Sequence, residues 1–254
     1  MRQRPIAVFD SGVGGISVLR ALRRELPNED FLYFGDSANA PYGSRPTPEI
    51  RRLTMTNAAR LLERAKALVL ACNTATSAAV DALRERYPDR IIIGIEPALK
   101  PALRAFPNGR IVVMATEATL RERKFAALMA QYDGNCQIVK CPCPDLVEFV
   151  ERGELHGAEL ERVLRDELCD ALSPLPDAVV LGCTHFPFLK DAVCRVFGAQ
   201  LRFFDGAEGT ARETRRRLDE CGLLSPDGAE GTVTLENSAA SPKLNMLERQ
   251  LLNE

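Results

Sequence analysis

The stretch VVLGCTHFPFL, residues 179–189, has the form of a buried strand that ends near a cysteine and turns at once into polar residues. A second stretch, LVLACNTATS at residues 68–77, has the same form. Short apolar runs that lead through a turn into a helical segment are typical of parallel strands in an α/β protein. Cys183 and Cys72 are therefore predicted at equivalent positions, each at the carboxyl end of a core strand.

The whole chain repeats this arrangement. Apolar runs that read as strands alternate with helical segments, and the predicted strands end at Asp10, Asp36, Cys72, Glu96, Ala115, Cys141, Cys183 and Asp205. The last four ends follow the first four at distances of 105, 105, 111 and 109 residues. This near-constant offset predicts an α/β fold of two similar domains with mostly parallel sheets, related by pseudo-twofold symmetry. A mostly helical tail with one further short strand, GTVTLE at 231–236, follows.

The halves are not separated by a Gly/Ser-rich linker, so we expect them to pack closely with a cleft between them. Ligands of open α/β sheets bind beyond the carboxyl ends of the strands, where loops lead into helix N-termini. The active site is therefore predicted in the cleft, with Cys72 and Cys183 facing each other across it.

Composition excludes several classes of protein. A net charge of −2 over 254 residues argues against a general nucleic-acid binder. No apolar run reaches the length of a membrane span, and the N-terminus leads directly into the strand-like IAVFD, which leaves no room for a signal peptide. We expect a cytoplasmic protein whose eight cysteines are reduced. Cys141 and Cys143 are one residue apart, which is not the spacing of a zinc site, so no metal is expected there.

The loop DSGVGG, residues 10–15, first suggests a phosphate-binding turn, but Ser17 stands where the dinucleotide fingerprint needs its third glycine. Two interpretations stay open: a plain tight turn, or a loop whose Ser11 and backbone amides approach a small anion. Asp10 favours a functional loop, because a carboxylate at a strand end is costly unless it is paired.

Two kinds of thiol chemistry fit the pattern. A Cys-His hydrolase needs one thiol and a histidine base, but His185 is only two residues from Cys183, a separation at which side chains rarely meet in that geometry. Racemisation instead needs two bases on opposite faces of a stereocentre, and two equivalent thiols supply them. Asp10 and His185 would then assist the nearest thiol. A non-catalytic binding protein on the same scaffold is a further alternative.

Six motifs now carry a resemblance: FDSGVGG (9–15), DSANAPYGSR (36–45), CNTATS (72–77), GIEPALKPA (94–102), VERGE (150–154) and GCTHFP (182–187). In this order they resemble the glutamate racemases of the cofactor-independent aspartate/glutamate racemase family, over essentially the whole chain. The resemblance implies an isomerase that interconverts L- and D-glutamate without pyridoxal phosphate, metal or any other cofactor and supplies D-glutamate for peptidoglycan. Racemisation of aspartate or another amino acid is the alternative, which the DSGVGG and PYG motifs disfavour.

The resemblance also implies roles for individual residues. Cys72 would take the α-proton of D-glutamate and Cys183 that of L-glutamate, with Asp10 assisting Cys72 and His185 assisting Cys183. Glu151 matches a further acidic residue of the family, and Glu148 competes with it because the segment before it is longer than in the family. The substrate-binding positions that carry over are Ser11, Pro41, Tyr42, Gly43, Asn73, Thr74, Thr116 and Thr184.

The family's domain pattern assigns residues 1–96 and 208–254 to one domain and residues 97–207 to the other. Dimerisation is common in the family, so a homodimer is the expected assembly. Glutamate is the expected small-molecule partner, with neither nucleic acid nor membrane.

Overall fold

The structure, a computed structural model, describes residues 3–121, 125–126, 129, 136–198, 200–226, 228–239 and 241–253. The chain divides into two compact units. The first comprises Met1–Glu96 and Ala207–Glu254, and the second comprises Pro97–Gly206.

The first unit is built on a sheet of parallel strands. Numbered along the chain, its strands are β1 (Ile6–Asp10), β2 (Phe31–Gly35), β3 (Ala67–Leu70), β4 (Ile91–Gly94) and β9 (Val233–Asn237). They lie in the order β4-β3-β1-β2-β9, and every pairing is parallel. The helices of this unit are α1 (Ile16–Glu25), α2 (Thr47–Arg64), α3 (Asn73–Arg86), α9 (Ala207–Glu220) and α10 (Pro242–Asn253).

The second unit has a smaller sheet of the same kind. Its strands are β5 (Arg110–Ala115), β6 (Gln137–Pro142), β7 (Ala178–Leu181) and β8 (Phe203–Asp205), in the order β6-β5-β7-β8. All three pairings are parallel. The helices described here are α4 (Leu99–Ala105), α5 (Glu117–Arg121), α6 (Leu146–Arg152), α7 (Ala158–Leu168) and α8 (Lys190–Phe197), and a short 3₁₀ helix, Phe186–Leu189, precedes α8.

The central strands are mostly apolar because both of their faces are covered. Every residue of β1, β2, β3 and β7 is buried, which is the burial expected of parallel strands with helices on both sides. In the first unit Phe9, Leu68 and Leu70 pack in one apolar cluster with residues of α2 and α3. In the second unit Ile111, Val113 and Val180 do the same with residues of α4.

The strand order reveals the duplication. Read from the other edge, the second sheet runs β8-β7-β5-β6, which is the order β4-β3-β1-β2 of the first sheet with each number raised by four. The predicted α/β class with parallel sheets is confirmed, and so are the predicted strand and helices of the tail. The predicted strand ends at Cys72 and Cys183 are wrong by two residues, since β3 ends at Leu70 and β7 at Leu181.

Within the described part of the chain, no helix combines the length and the apolarity that crossing a membrane requires.

Candidate active site

Cys72 lies at the start of α3 rather than on a strand. It is the N-cap residue of this helix, and its sulfur accepts a hydrogen bond from the backbone N–H of Ala75 at 3.4 Å. The residue is only 5% exposed. Unpaired N–H groups and the helix dipole favour negative charge at a helix N-terminus, so the position favours a thiolate.

The loop after β1 borders the same thiol. The Cys72 thiol donates to Ser11 Oγ at 3.5 Å, and the fully buried Asp10 accepts the backbone N–H of Gly12 at 2.9 Å. Gly15 is required here, because a Cβ atom at this position would lie 2.5 Å from Asp10 Cβ. Gly15 therefore lets the chain pass close to the buried carboxylate, in the same loop whose Ser11 contacts the thiol.

Asn73 and Thr74 open α3 next to Cys72, and both are 5% exposed. Asn73 Oδ1 is buried and has no hydrogen-bond partner among the described residues. An unpaired buried acceptor costs free energy, so this oxygen is a ready acceptor for a donor group of a ligand.

The PYG segment is held by a polar network that the sequence did not predict. Tyr42 is 1% exposed, and its hydroxyl donates to Asp36 Oδ2 at 2.6 Å. Asn57 of α2 donates to the same oxygen at 3.2 Å, and Asn39 donates to both carboxylate oxygens. Burial and the hydrogen bond to Asp36 raise the pKa of Tyr42, so its hydroxyl stays protonated.

The structure thus assigns Tyr42 an internal partner, while Pro41 and Gly43 on either side of it are partly exposed. Asp36 is the centre of the network. Its place in the quoted motif DSANAPYGSR was a signal for it, whereas nothing in the sequence pointed to Asn57.

Cys183 lies in a different environment in the second unit. Its sulfur is 3.6 Å from His185 Nδ1, and His185 Nε2 is 2.6 Å from Glu151 Oε1 on α6. Side chains two residues apart rarely meet in nucleophile–base geometry, but here the imidazole and the sulfur are in contact. The chain turns back on itself, with the N–H of Phe186 bonded to the carbonyl of Cys183, and this turn brings the imidazole to the sulfur. Gly182 permits the turn, since a Cβ there would lie 2.9 Å from Ala115 Cβ.

The imidazole is buried and carries a raised pKa. Burial lowers the pKa of His185, but the hydrogen bonds with Cys183 and Glu151 outweigh it and hold the pKa well above the ordinary value. A protonated His185 donates to the Glu151 carboxylate and to the Cys183 sulfur, so the three side chains form a charge-assisted chain. Glu148 does not take part, because its exposed carboxylate lies 3.6 Å from Arg152.

Two threonines of the second unit were predicted from the resemblance as substrate-binding residues. Thr116 follows β5 and is buried, and its Oγ1 accepts the N–H of Thr119 at 3.3 Å, so it caps α5. Thr184 is buried directly after Cys183.

A second pair of thiols lies in the same unit. Cys143 donates to Cys141 Sγ at 3.8 Å, and both are buried. This hydrogen bond lowers the pKa of Cys141 and raises that of Cys143. In the residues that the structure describes, no group of three or more His, Cys, Asp or Glu could hold a metal ion.

The α/β fold is duplicated, and in each unit a buried cysteine follows the third strand along the chain, β3 or β7. These two features together define the class of protein. The chain belongs to the Asp/Glu/hydantoin racemase family, whose model it matches over residues 13–214.

Particular relatives narrow the comparison to glutamate racemases and confirm the resemblance predicted from the motifs. The chain is 47% identical over 252 residues to a glutamate racemase of Clostridium botulinum, covering 99% of this chain and 98% of the relative.

Two solved structures of glutamate racemases have a similar fold. Glutamate racemase from Francisella tularensis in complex with D-glutamate is 27% identical with a TM-score of 0.85, covering 100% of this chain and 95% of that one. Escherichia coli glutamate racemase in complex with L-glutamate and the activator UDP-MurNAc-Ala is 33% identical with a TM-score of 0.83, covering 98% and 95%.

Proposed function

We propose that this protein is a glutamate racemase that interconverts L- and D-glutamate with two cysteines, one removing the α-proton as a thiolate and the other delivering a proton to the opposite face as a thiol. The observation that carries the proposal is the pair Cys72 and Cys183. Each follows the equivalent strand, β3 or β7, in two sheets of the same strand order, and each is buried beside polar groups that can support a thiolate. Racemisation requires one base and one acid on opposite faces of the α-carbon, and this duplication provides two groups of the same kind.

The proposed roles follow from the contacts. Cys72 removes the α-proton of D-glutamate, and its negative charge is favoured by the N-terminus of α3. Cys183 removes the α-proton of L-glutamate, and protonated His185, held by Glu151, stabilises the thiolate that forms in the reverse step. In each direction one cysteine starts as thiolate and the other as thiol, and they exchange roles during turnover.

Substrate binding is proposed for polar groups of both units, beginning with those beside Cys72. Asn73 Oδ1, buried and without a protein partner among the described residues, suits the α-ammonium group of the substrate. The buried Ser11 and Thr74, together with Thr116 and Thr184 of the second unit, are proposed to bind the carboxylates, and the backbone of Pro41–Gly43 completes the set. Asp10 is proposed to assist Cys72 from the loop that Ser11 shares.

Glutamate is preferred over aspartate because the chain is 44–49% identical to several proteins named glutamate racemase over almost its full length. Solved glutamate racemases of similar fold bind D-glutamate and L-glutamate. We place the enzyme in the cytoplasm as a supplier of D-glutamate for peptidoglycan, without cofactor, and expect a homodimer, all on the family resemblance. We also propose that the two compact units are the catalytic domains, one carrying each thiol.

Incubation of the purified protein with L-glutamate, without added cofactor, tests the proposal. Loss of the circular dichroism of the substrate, an unchanged total glutamate concentration and no turnover of L-aspartate are the expected results. Preference for L-aspartate would assign the alternative amino acid, and retention of optical activity with every amino acid tried would leave only a binding role. Hydrolysis products would support the Cys-His hydrolase instead.

A further inference from the structure

The tail of the chain returns to the first unit and supplies an element that the second unit lacks among its described residues. Strand β9 pairs with β2 at the edge of the sheet, and Gly35 at the end of β2 is level with Asn237 at the end of β9. In parallel strands that end at the same level, the residues that follow lie side by side. The residues after β2 are those that lead to the PYG segment.

We propose that Asn237 and Ser238, supported by Glu248 of α10, are positioning residues that hold the loop 36–42 in the conformation that binds substrate. The catalytic consequence of this inference rests on the proposed function, whereas its structural part does not.

Three hydrogen bonds join the tail to residues 35–38, and a fourth lies within the tail. Ser238 N–H donates to the carbonyl of Gly35 at 2.9 Å, and Ser238 Oγ accepts the N–H of Ala38 at 3.0 Å. Asn237 Nδ2 donates to Ser37 Oγ at 3.1 Å and to Glu248 Oε1 at 2.8 Å, which ties the end of β9 to α10. Three of these bonds go directly to residues 35–38, and the fourth fixes the Asn237 side chain that makes one of them.

Glu248 gives the arrangement its rigidity. Glu248 is 1% exposed, and a buried carboxylate is costly unless it is hydrogen-bonded. Asn237 satisfies part of that need, so the amide is held in one orientation. A second bond within the turn, from Ala239 N–H to Asn237 Oδ1 at 2.9 Å, fixes the other end of the amide.

The packing at Gly35 shows how closely the tail approaches the candidate active site. A Cβ atom at Gly35 would lie 2.7 Å from Asn237 Nδ2 and 2.6 Å from the carbonyl oxygen of Gly12. Gly12 follows Ser11, which contacts Cys72. The amide of Asn237 and the loop beside the thiol therefore border the same residue.

The loop is held on its other side by Asp36. Its N–H bonds to the carbonyl of Asp10 at 3.0 Å, and its carboxylate accepts the hydroxyl of Tyr42. The tail is bonded to residues 35–38 on the side of β9, while the Asp36 carboxylate is bonded to Tyr42. Loss of the outer set is expected to leave the fold intact and to loosen the loop, because the bonds involve the loop rather than the core.

Ser238→Ala tests the inference, since it removes the acceptor of the Ala38 N–H and keeps the β-carbon. Glu236→Gln is the matched control: Glu236 lies on β9, two residues before Ser238, and the change removes the charge of a two-bond ion pair to Arg64 on α2. Among the described residues, the Glu236 side chain has no hydrogen bond to the loop. Two quantities are measured in each variant: amide hydrogen exchange over residues 36–42, and the separate kcat and KM for L-glutamate.

In Ser238→Ala we expect faster exchange in the loop and a KM raised by about 3- to 10-fold, the effect of one lost hydrogen bond, with kcat changed by less than about 2-fold. Glu236→Gln should change neither quantity. Equal changes in both variants would mean that β9 has only a general structural role, and unchanged exchange in Ser238→Ala would overturn the inference. The exchange measurement needs no turnover, so a protein that failed to racemise glutamate would overturn the proposed function and leave this test valid.

Discussion

The two thiols occupy equivalent places in two sheets of the same strand order, yet their neighbours differ in kind. Cys72 caps a 14-residue helix and donates to a neutral serine hydroxyl. Cys183 lies beside a buried imidazole that is bonded in turn to a carboxylate. Duplication has therefore kept the position of the proposed reacting group and changed the groups available to stabilise its charge. The first site uses a helix N-terminus, and the second uses a charged pair of side chains.

The largest expected effect is the removal of either thiol. Cys72→Ala and Cys183→Ala should each lower the rate of racemisation by about 10²–10⁴-fold or more, because each deletes one of two required acid–base groups. Circular dichroism of glutamate measures the rate from both enantiomers. Cys221→Ala, which removes an exposed cysteine of the first unit, is the control and should be fully active. A single-thiol variant with near-normal activity in both directions would contradict the equivalence of the two sites.

The next effect should distinguish the sites. His185→Asn should lower kcat/KM by about 10- to 100-fold, since it removes the group that supports Cys183. Because the enantiomers have equal free energy, kcat/KM must fall equally in both directions, so the difference is sought in isotope effects. The primary kinetic isotope effect should increase with α-deuterated L-glutamate, whose deuterium is removed by Cys183. It should decrease with α-deuterated D-glutamate. Asp10→Asn should give the opposite pattern, and the same pattern in both variants would mean that neither group serves a particular thiol.

A smaller effect concerns stability and pH. The raised pKa of His185 means that the folded protein holds this proton more tightly than the unfolded chain does. The resulting stabilisation is fully present below the unfolded histidine pKa of about 6.5 and is lost as the pH rises through the higher folded value. Glu151→Gln should cost about 1–3 kcal/mol of unfolding free energy at pH 6, the value of a hydrogen bond to a charged group, and less at alkaline pH.

Urea denaturation of the wild type and of Glu151→Gln at pH 6 and pH 9 gives this difference directly. A difference that was the same at both values would contradict the role of Glu151 in holding the His185 proton. Asp10→Asn, the corresponding change beside Cys72, involves no histidine and is the comparison in the first unit.

The smallest effect lies away from both thiols. Burial raises the pKa of Glu167 on α7 to about 7, although its Oε1 accepts the N–H of Asp145 at the start of α6. The folded state binds this proton more tightly, so stability should fall as the pH rises from about 4.5, the unfolded value, to 7. Glu167→Gln removes this titration. Because the side chain is partly exposed, the difference in melting temperature between the variant and the wild type should rise by only about 1–2 °C over this pH range. Glu148→Gln, an exposed change on α6, should show no such gain.

Much of the fold could be predicted because it depends on local patterns of apolar residues in the sequence. The apolar runs and their repeat offset predicted the strands of both sheets and the parallel class, and the short run GTVTLE predicted β9. The ends of β3 and β7 were overestimated because Ala71 and Gly182 are apolar or neutral, although the chain has already left the sheet there to enter a helix cap or a turn.

The site was predictable only where a motif carried it. The thiols and His185 lie in motifs, but the 3.6 Å contact between Cys183 and His185 depends on a backbone turn that their spacing did not suggest. The hydrogen bonds from Asn57 to Asp36, from the Ala38 N–H to Ser238 and from Asn237 to Ser37 join residues that are 21 to 200 positions apart. Such contacts are set by tertiary packing, which leaves no periodic signal in one sequence.

The central claim is that two different thiols act on opposite faces of one α-carbon. The direct measurement is the early turnover of L-glutamate in D₂O, with the α-hydrogen of both enantiomers followed by NMR and mass spectrometry. A thiol that has exchanged with solvent delivers deuterium while the other removes protium. The first D-glutamate formed should therefore be fully deuterated at the α-carbon, and the remaining L-glutamate should keep its proton. D-glutamate that retained the original α-proton would mean that a single base carries it from one face to the other, and would contradict the account.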